Sequence, residues 1–213
     1  MDKFKLAAFD LDGTLADTLP MCIVAFGEAV SPYAGHTLSK EEITETFGLN
    51  EKGMVNAILT EHRDEAIAAY YRIYREMQER TPNRPFPGIV PLLEELKELG
   101  LTVVLVTGKS ETSCHITLEA LGLEGMFDQV LTGSEFGVCK AQQLRSLMDQ
   151  YGLKPEECFY VGDAASDARA SREAGVVCYS AAWSPGTPVA LLERTNPGQV
   201  CGTIAGLRQR LGL

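Results

Sequence analysis

Two aspartates, Asp10 and Asp12, end an apolar run, Leu6-Ala7-Ala8-Phe9, and open the turn Asp12-Gly13-Thr14-Leu15. An aspartate at the tip of a strand presents its carboxylate to an electrophile, the covalent role aspartate takes in phosphoryl transfer. Asp12 lies two residues on and points to the same side of an extended chain, so it can serve the same substrate as general acid and base. Gly13 permits a backbone turn that a side chain would obstruct, and Thr14 offers a hydroxyl and an amide to an anion. Taken alone, an Asp-Gly pair equally fits a solvated turn. Two further apolar runs end in the same kind of polar residue: Thr102-Val103-Val104-Leu105-Val106 reaches Thr107, and Cys158-Phe159-Tyr160-Val161-Gly162 reaches Asp163, with Asp167 beyond it.

Apolar runs enriched in β-branched residues read as strands buried on both faces, which implies a parallel sheet under helices. In such sheets ligands sit beyond the carboxyl ends of the strands, where the strand order reverses, and there Asp10, Thr107 and Asp163 would meet. From Gly88 onward helix and strand patterns alternate. A helix over 91–99 precedes the second strand, one over 113–121 precedes a strand over 127–131, and Leu144, Leu147, Met148 and Tyr151 form the stripe of the next helix. A fifth strand is expected over 176–179 and a closing helix within 198–213. These elements predict an α/β fold, a three-layer α/β/α doubly wound parallel-sheet core. Residues 16–80 carry no strand pattern. Asp17 or Thr18 can cap a helix whose apolar stripe is Leu19, Ile23, Phe26 and Val30. Ser39-Lys40-Glu41-Glu42 is a capping box for another, interrupted over 48–53 and resuming over 54–59, and a long helix over 61–80 ends before Pro82. The expected organisation is a core of residues 1–15 and 82–213 with an all-helical cap of residues 16–81 over the catalytic edge. Its hinges would be 13–16 and 81–88, and the 48–53 turn would face the substrate.

The hexapeptide Asp10-Leu11-Asp12-Gly13-Thr14-Leu15 resembles the first motif of the haloacid dehalogenase superfamily, Asp-x-Asp-Gly-Thr at the end of the first strand. Thr107-Gly108-Lys109, then Lys140, then Gly162-Asp163-Ala164-Ala165-Ser166-Asp167, similar to the family's Gly-Asp-x-x-x-Asp, follow in the family's order, and Ala174-Gly175-Val176 comes after. The layout is most similar to the phosphoglycolate phosphatase-like branch with a helical, C1-type cap. Gly108 stands where many members have Asn or Ser, and no Pro follows Lys140. The resemblance implies a magnesium-dependent phosphatase of a small phosphorylated metabolite, working through an aspartyl-phosphate. Asp10 would be the nucleophile, Asp12 the acid and base, Thr107 a hydroxyl donor to a phosphoryl oxygen, and Lys140 the charge that holds nucleophile and phosphate together, with Lys109 a competitor for that role. Gly13, Thr107, Gly108, Lys109 and Lys140 would bind the phosphate. Asp10 and Asp163 would ligate magnesium through side chains and Asp12 through its backbone carbonyl, with Asp167 completing the acidic set by orienting water or pairing with Lys140.

The residues themselves argue for a cation. Two unit charges at ~4 Å repel by about 4 kcal/mol at an effective dielectric near 20. Four carboxylates in one crevice need something positive, and Mg2+ suits hard oxygen ligands beside a substrate phosphate. With 19 basic and 29 acidic residues the formal charge is -10, which argues against nucleic acid or an anionic membrane as partner. No run approaches the ~20 apolar residues of a membrane span. The six cysteines show no Cys-x-x-Cys spacing and read as reduced thiols of a cytoplasmic protein, monomer or homodimer, although Cys114, His115 and Cys139 could be drawn as a zinc site. Two alternatives keep the same core: a phosphotransferase or phosphosugar mutase, against which the 48–53 turn holds no arginine for a second phosphate, and a catalytically silent binding module, against which the acidic set is intact.

Overall fold

The computed structural model describes residues 3–81 and 83–213, so the expected boundary at Pro82 lies outside the described residues. Six strands, β1 (Leu6–Phe9), β2 (Thr102–Val106), β3 (Gln129–Leu131), β4 (Cys158–Gly162), β5 (Val177–Ala181) and β6 (Val200–Cys201), pair in parallel in the order β3-β2-β1-β4-β5-β6. The chain leaves β1 in one direction for β2 and β3 and returns on its other side for β4 to β6. The reversal therefore falls at β1 and β4, and the carboxyl ends of these strands frame a crevice.

Alternation along the strands divides the core into two layers. Ala7, Phe9, Val103, Leu105, Phe159 and Val161 face helices α5 (Ile89–Glu98), α6 (Glu111–Leu121) and α10 (Ile204–Leu211). Leu6, Ala8, Val104, Val106 and Tyr160 face α7 (Lys140–Tyr151) and α8 (Ala165–Ala174). A further short helix, α9 (Val189–Thr195), packs on α8. This is the expected α/β/α sandwich.

Between β1 and α5 lie four helices, α1 (Leu19–Ala34), α2 (Lys40–Glu45), α3 (Glu51–Ile58) and α4 (Arg63–Arg80). They enclose an apolar cluster of their own around Phe26, Val30, Ile43, Val55, Tyr70 and Tyr74, to which α6 contributes Ile116. The chain passes to and from this group along two strands of backbone that pair with each other: Ala16 bridges Pro85 antiparallel, and the Phe86 N–H donates to the Leu15 carbonyl at 2.8 Å. No helix among the described residues is long and apolar enough to cross a membrane.

Local chemistry moves several boundaries. Helix α3 starts at Glu51 rather than after the 48–53 turn, because the Asn50 side chain accepts from the Gly53 N–H and caps it. Helix α6 starts at Glu111 because Ser110 caps it. Thr18 is the N-cap residue of α1, yet its hydroxyl makes no cap bond; it turns to Asp12 instead. The two-residue β6 is too short to show a period, and it exists because β5 offers an edge, with Ser180 N–H donating to Gln199 and Ala182 N–H to Cys201.

Phe159 joins the layers' chemistry to the fold's stability: fully enclosed, its ring lies 5.0 Å from Phe4, 6.2 Å from Phe9 and 5.9 Å from Tyr179. Replacing it by Ala removes a large buried ring and leaves a void, at a cost of about 3–5 kcal/mol. For a domain of this size that corresponds to a fall in Tm on the order of 10 °C, read by thermal unfolding; a fall of only a degree or two would show that the core is not organised around this strand.

Candidate active site

A cavity of about 200 Å3 opens over the ends of β1, β2 and β4. Core residues line its floor, among them Asp10, Asp12, Thr107, Gly108, Lys109, Lys140 and Asp163, while Phe26, Phe47, Leu49, Met54 and Tyr70 of the helical segment form its roof. Gly13 does not line it. Its N–H donates to the Ala16 carbonyl, so this amide serves the turn rather than a phosphate. What the position requires is the missing side chain: at φ +74° a Cβ would overlap the Asp163 carboxylate. Thr14, fully buried, is also absent from the cavity wall, and its carbonyl accepts from the Trp183 indole N–H at 3.0 Å.

Asp10, Asp163 and Asp167 bring carboxylate oxygens within 4.8 Å of one another, all buried. Among the described residues this is the group whose donors suit a hard divalent cation; the thiols of Cys114 and Cys139 and the His115 ring form no such group. Lys140, in the first turn of α7, puts Nζ 2.8 Å from Asp10 Oδ2 and 2.6 Å from Asp167 Oδ1. Asp167 is fixed further: it accepts from the Ala164 N–H at 3.0 Å and the Tyr160 hydroxyl at 3.3 Å, an acid at the start of α8.

Asp12 turns away from that trio. Its Oδ1 accepts from the Thr18 hydroxyl at 2.5 Å and lies 3.4 Å from Lys109 Nζ. Lys109 is almost completely enclosed, 3.2 Å from Cys22 Sγ and 4.5 Å from the centre of the Tyr74 ring. The two lysines therefore serve different carboxylates, Lys140 the Asp10 side and Lys109 the Asp12 side. Thr107 is buried; its hydroxyl accepts from the Lys109 N–H at 3.2 Å and keeps its own proton for another acceptor.

Burial sets the electrostatics. Desolvation, opposed by Lys140 and reinforced by Asp167, pushes the Asp10 carboxyl up to about 7. Asp163 is raised well above the carboxylate range, again by burial first and then by Asp167 and Asp10. Burial works against the charge of Lys140, but Asp10 and Asp167 outweigh it and hold the ammonium protonated. Carboxyls raised by burial and by one another, with one lysine to offset them, describe a site that fits a dication.

Three contacts were not legible in advance. Asn50 donates from Nδ2 to the Gly133 carbonyl at 3.1 Å, which docks α3 on the loop after β3. Gly133 is needed there because a Cβ would overlap the Gly108 carbonyl oxygen. Glu51, buried, reaches the N-terminus of α6. The first of these had a signal, since Asn-Glu is a cap followed by a first-turn acid.

A model of the haloacid dehalogenase-like hydrolases matches residues 7–181. The chain is 30% identical over 202 residues to a phosphoglycolate phosphatase of Thiobacillus denitrificans, covering 89% of this chain and 88% of that protein, and 27% identical over 184 residues to one of Aquifex aeolicus, covering 84% and 85%. Among solved structures, a predicted phosphoglycolate phosphatase from Haemophilus somnus superposes with a TM-score of 0.81 at 23% identity over 99% of both chains, and a hydrolase from Pseudomonas syringae with 0.81 at 24% over 98% of both.

The raised carboxyls give a stability test with a definite sign. An acid whose folded pKa is raised holds its proton in the native state after the unfolded chain has released it, so its stabilising contribution is full below about 4 and lost as pH rises through about 7. In chelator, Asp10→Asn should therefore gain in Tm relative to the unchanged protein as pH goes from 5 to 8. Added Mg2+ should raise the unchanged protein's Tm more at pH 8 than at pH 5. A Tm difference flat across that range, or an equal Mg2+ shift at both ends, would contradict the charge assignment.

Proposed function

The chain belongs to the haloacid dehalogenase-like hydrolases, and on that premise we propose that it is a magnesium-dependent phosphatase of a small phosphorylated metabolite, acting through an aspartyl-phosphate on Asp10. The observation that carries this reading is the pairing at the end of β1: the Asp10 carboxylate faces the cavity, held by Lys140, beside Asp163 and Asp167. Relatives of similar length carry the name phosphoglycolate phosphatase, which supports a phosphomonoester as substrate. Free thiols at all six cysteines support a reducing, cytoplasmic setting.

In this reading Asp10, Asp163 and Asp167, with the Asp12 carbonyl, hold Mg2+. When bound, the ion offsets the charge of the phosphoryl group and of the carboxylates around it. An Asp10 oxygen attacks phosphorus and the bond to the ester oxygen breaks. Asp12 gives its proton to that departing oxygen. Water then attacks the phosphorus of the aspartyl-phosphate, Asp12 takes the water's proton, and phosphate leaves Asp10 free. Thr107 donates its hydroxyl to a phosphoryl oxygen, and Lys140 keeps the two negative partners together during transfer. Thr18 and Lys109 both approach Asp12 Oδ1, which leaves Oδ2 to carry the proton that is exchanged. Residues 16–81 form the cap, which closes over the core of 1–15 and 82–213 and excludes bulk water.

The two aspartates separate by experiment. With an activated aryl phosphate, whose leaving group needs no proton, Asp12→Asn should form the aspartyl-phosphate and lose it slowly, with turnover down roughly 100- to 10,000-fold. Rapid acid quench and intact mass analysis should show an added phosphoryl group on Asp12→Asn and none on Asp10→Asn. All turnover should cease in excess chelator and return with Mg2+. An adduct on the Asp10 variant would overturn the assignment, and full activity in chelator would remove the metal.

A further inference from the structure

The cavity contains a carboxylate that the phosphatase chemistry does not use. Glu51, only 5% exposed, extends from the first turn of α3 to the N-terminus of α6. Its Oε2 accepts from the Ser110 N–H at 2.8 Å and its Oε1 from the Ser113 hydroxyl at 2.5 Å, with the Tyr70 hydroxyl 3.5 Å away. The start of a helix, with its unpaired N–H groups and positive dipole end, is where an anionic group on a ligand would be stabilised. Here the protein's own side chain occupies that place.

The remaining positive charge is also committed. Lys109 and Lys140 are the cationic side chains lining the cavity; Lys140 lies between Asp10 and Asp167, and Lys109 is enclosed against Asp12, Cys22 and the Tyr74 ring. Beyond the groups that hold Glu51, much of the cavity lining is apolar, with Leu19, Phe26, Phe47, Leu49, Met54 and Val138. A substrate bound by its phosphoryl group thus projects its leaving group into an apolar space that holds a fixed negative charge and offers no cation.

We propose that Glu51 determines specificity: it admits phosphomonoesters whose leaving group is uncharged, a small and largely apolar alcohol, and rejects those whose leaving group carries a carboxylate or second phosphate. The mechanism is repulsion combined with occupancy of a helix terminus that would otherwise receive such an anion. This rests on the phosphatase reading above and names its substrate class.

Ethyl phosphate and 2-phosphoglycolate have the same carbon count and differ by the carboxylate. With Mg2+ the unchanged protein should favour ethyl phosphate by about tenfold or more in kcat/KM, the scale of a like-charge contact in a partly buried site. Glu51→Gln keeps an oxygen to accept from Ser110 and removes the charge, so the ratio should narrow by about tenfold. A merely structural loss would lower both esters together and leave the ratio where it was. A preference of the unchanged protein for phosphoglycolate, or a ratio unmoved in Glu51→Gln, overturns the proposal while leaving the phosphatase intact. Should the variant fail to fold, the unchanged protein's ratio decides by itself. If neither ester nor p-nitrophenyl phosphate is hydrolysed with Mg2+, the phosphatase reading falls and this inference with it.

Discussion

Negative charge held out of water at the ends of β1 and β4 is the constraint to which the rest of the molecule answers. Asp10, Asp163 and Asp167 bring carboxylate oxygens within 4.8 Å of one another in a buried crevice. Burial pushes the Asp10 and Asp163 carboxyls toward their protonated forms. They are kept by a frame that cannot relax: central strands buried on both faces, Lys140 fixed on two carboxylates at once, and a glycine at position 13 where any side chain would strike Asp163. A site assembled this way is poised for a ligand with the opposite charge distribution, a dication and an electrophilic phosphorus, because binding them relieves what folding imposed.

The same frame explains what the sequence disclosed. Strand ends are where apolar runs stop, so Asp10, Thr107 and Asp163 were legible from pattern alone, and the parallel, doubly wound core followed from their alternation with helices. Through the resemblance Lys140 was legible beside the nucleophile and as a partner of Asp167, and it stands on both. That Lys109 binds Asp12 is a fact of tertiary packing that no local spacing encodes. The start of α3 was misplaced because two glycines in 48–53 outweighed the Asn50 cap, and β6 was missed because two residues have no period to detect. Thr18 illustrates a competition: a threonine before a helix reads as a cap, but a nearby carboxylate is a stronger acceptor partner for its hydroxyl than an amide is a donor to it.

Contacts between the helical segment and the sheet domain include buried polar ones. Tyr71 meets Ser110 at 2.9 Å, Tyr74 meets Thr117 at 2.9 Å, and Asn50 joins the backbone at Gly133 and Ser134. Tyr74 also supplies the ring beneath Lys109, so a helix outside the sheet completes the surroundings of a lysine inside the crevice. The roof thereby contributes to the electrostatics of the floor, and neither half presents the same charge environment without the other.

The pairing of Ala16 with Pro85, and of Leu15 with Phe86, has a thermodynamic consequence for everything between them. Because the two crossings are bonded side by side, the sheet experiences residues 17–84 as a loop whose ends are already together. The entropy of closing such a loop grows only logarithmically with its length. Residues can be added to the helical segment or removed from it at almost constant closure cost, with strand register undisturbed. The neck thus separates two rates of change: the strands can stay fixed while those residues of the segment that do not reach the crevice are rewritten.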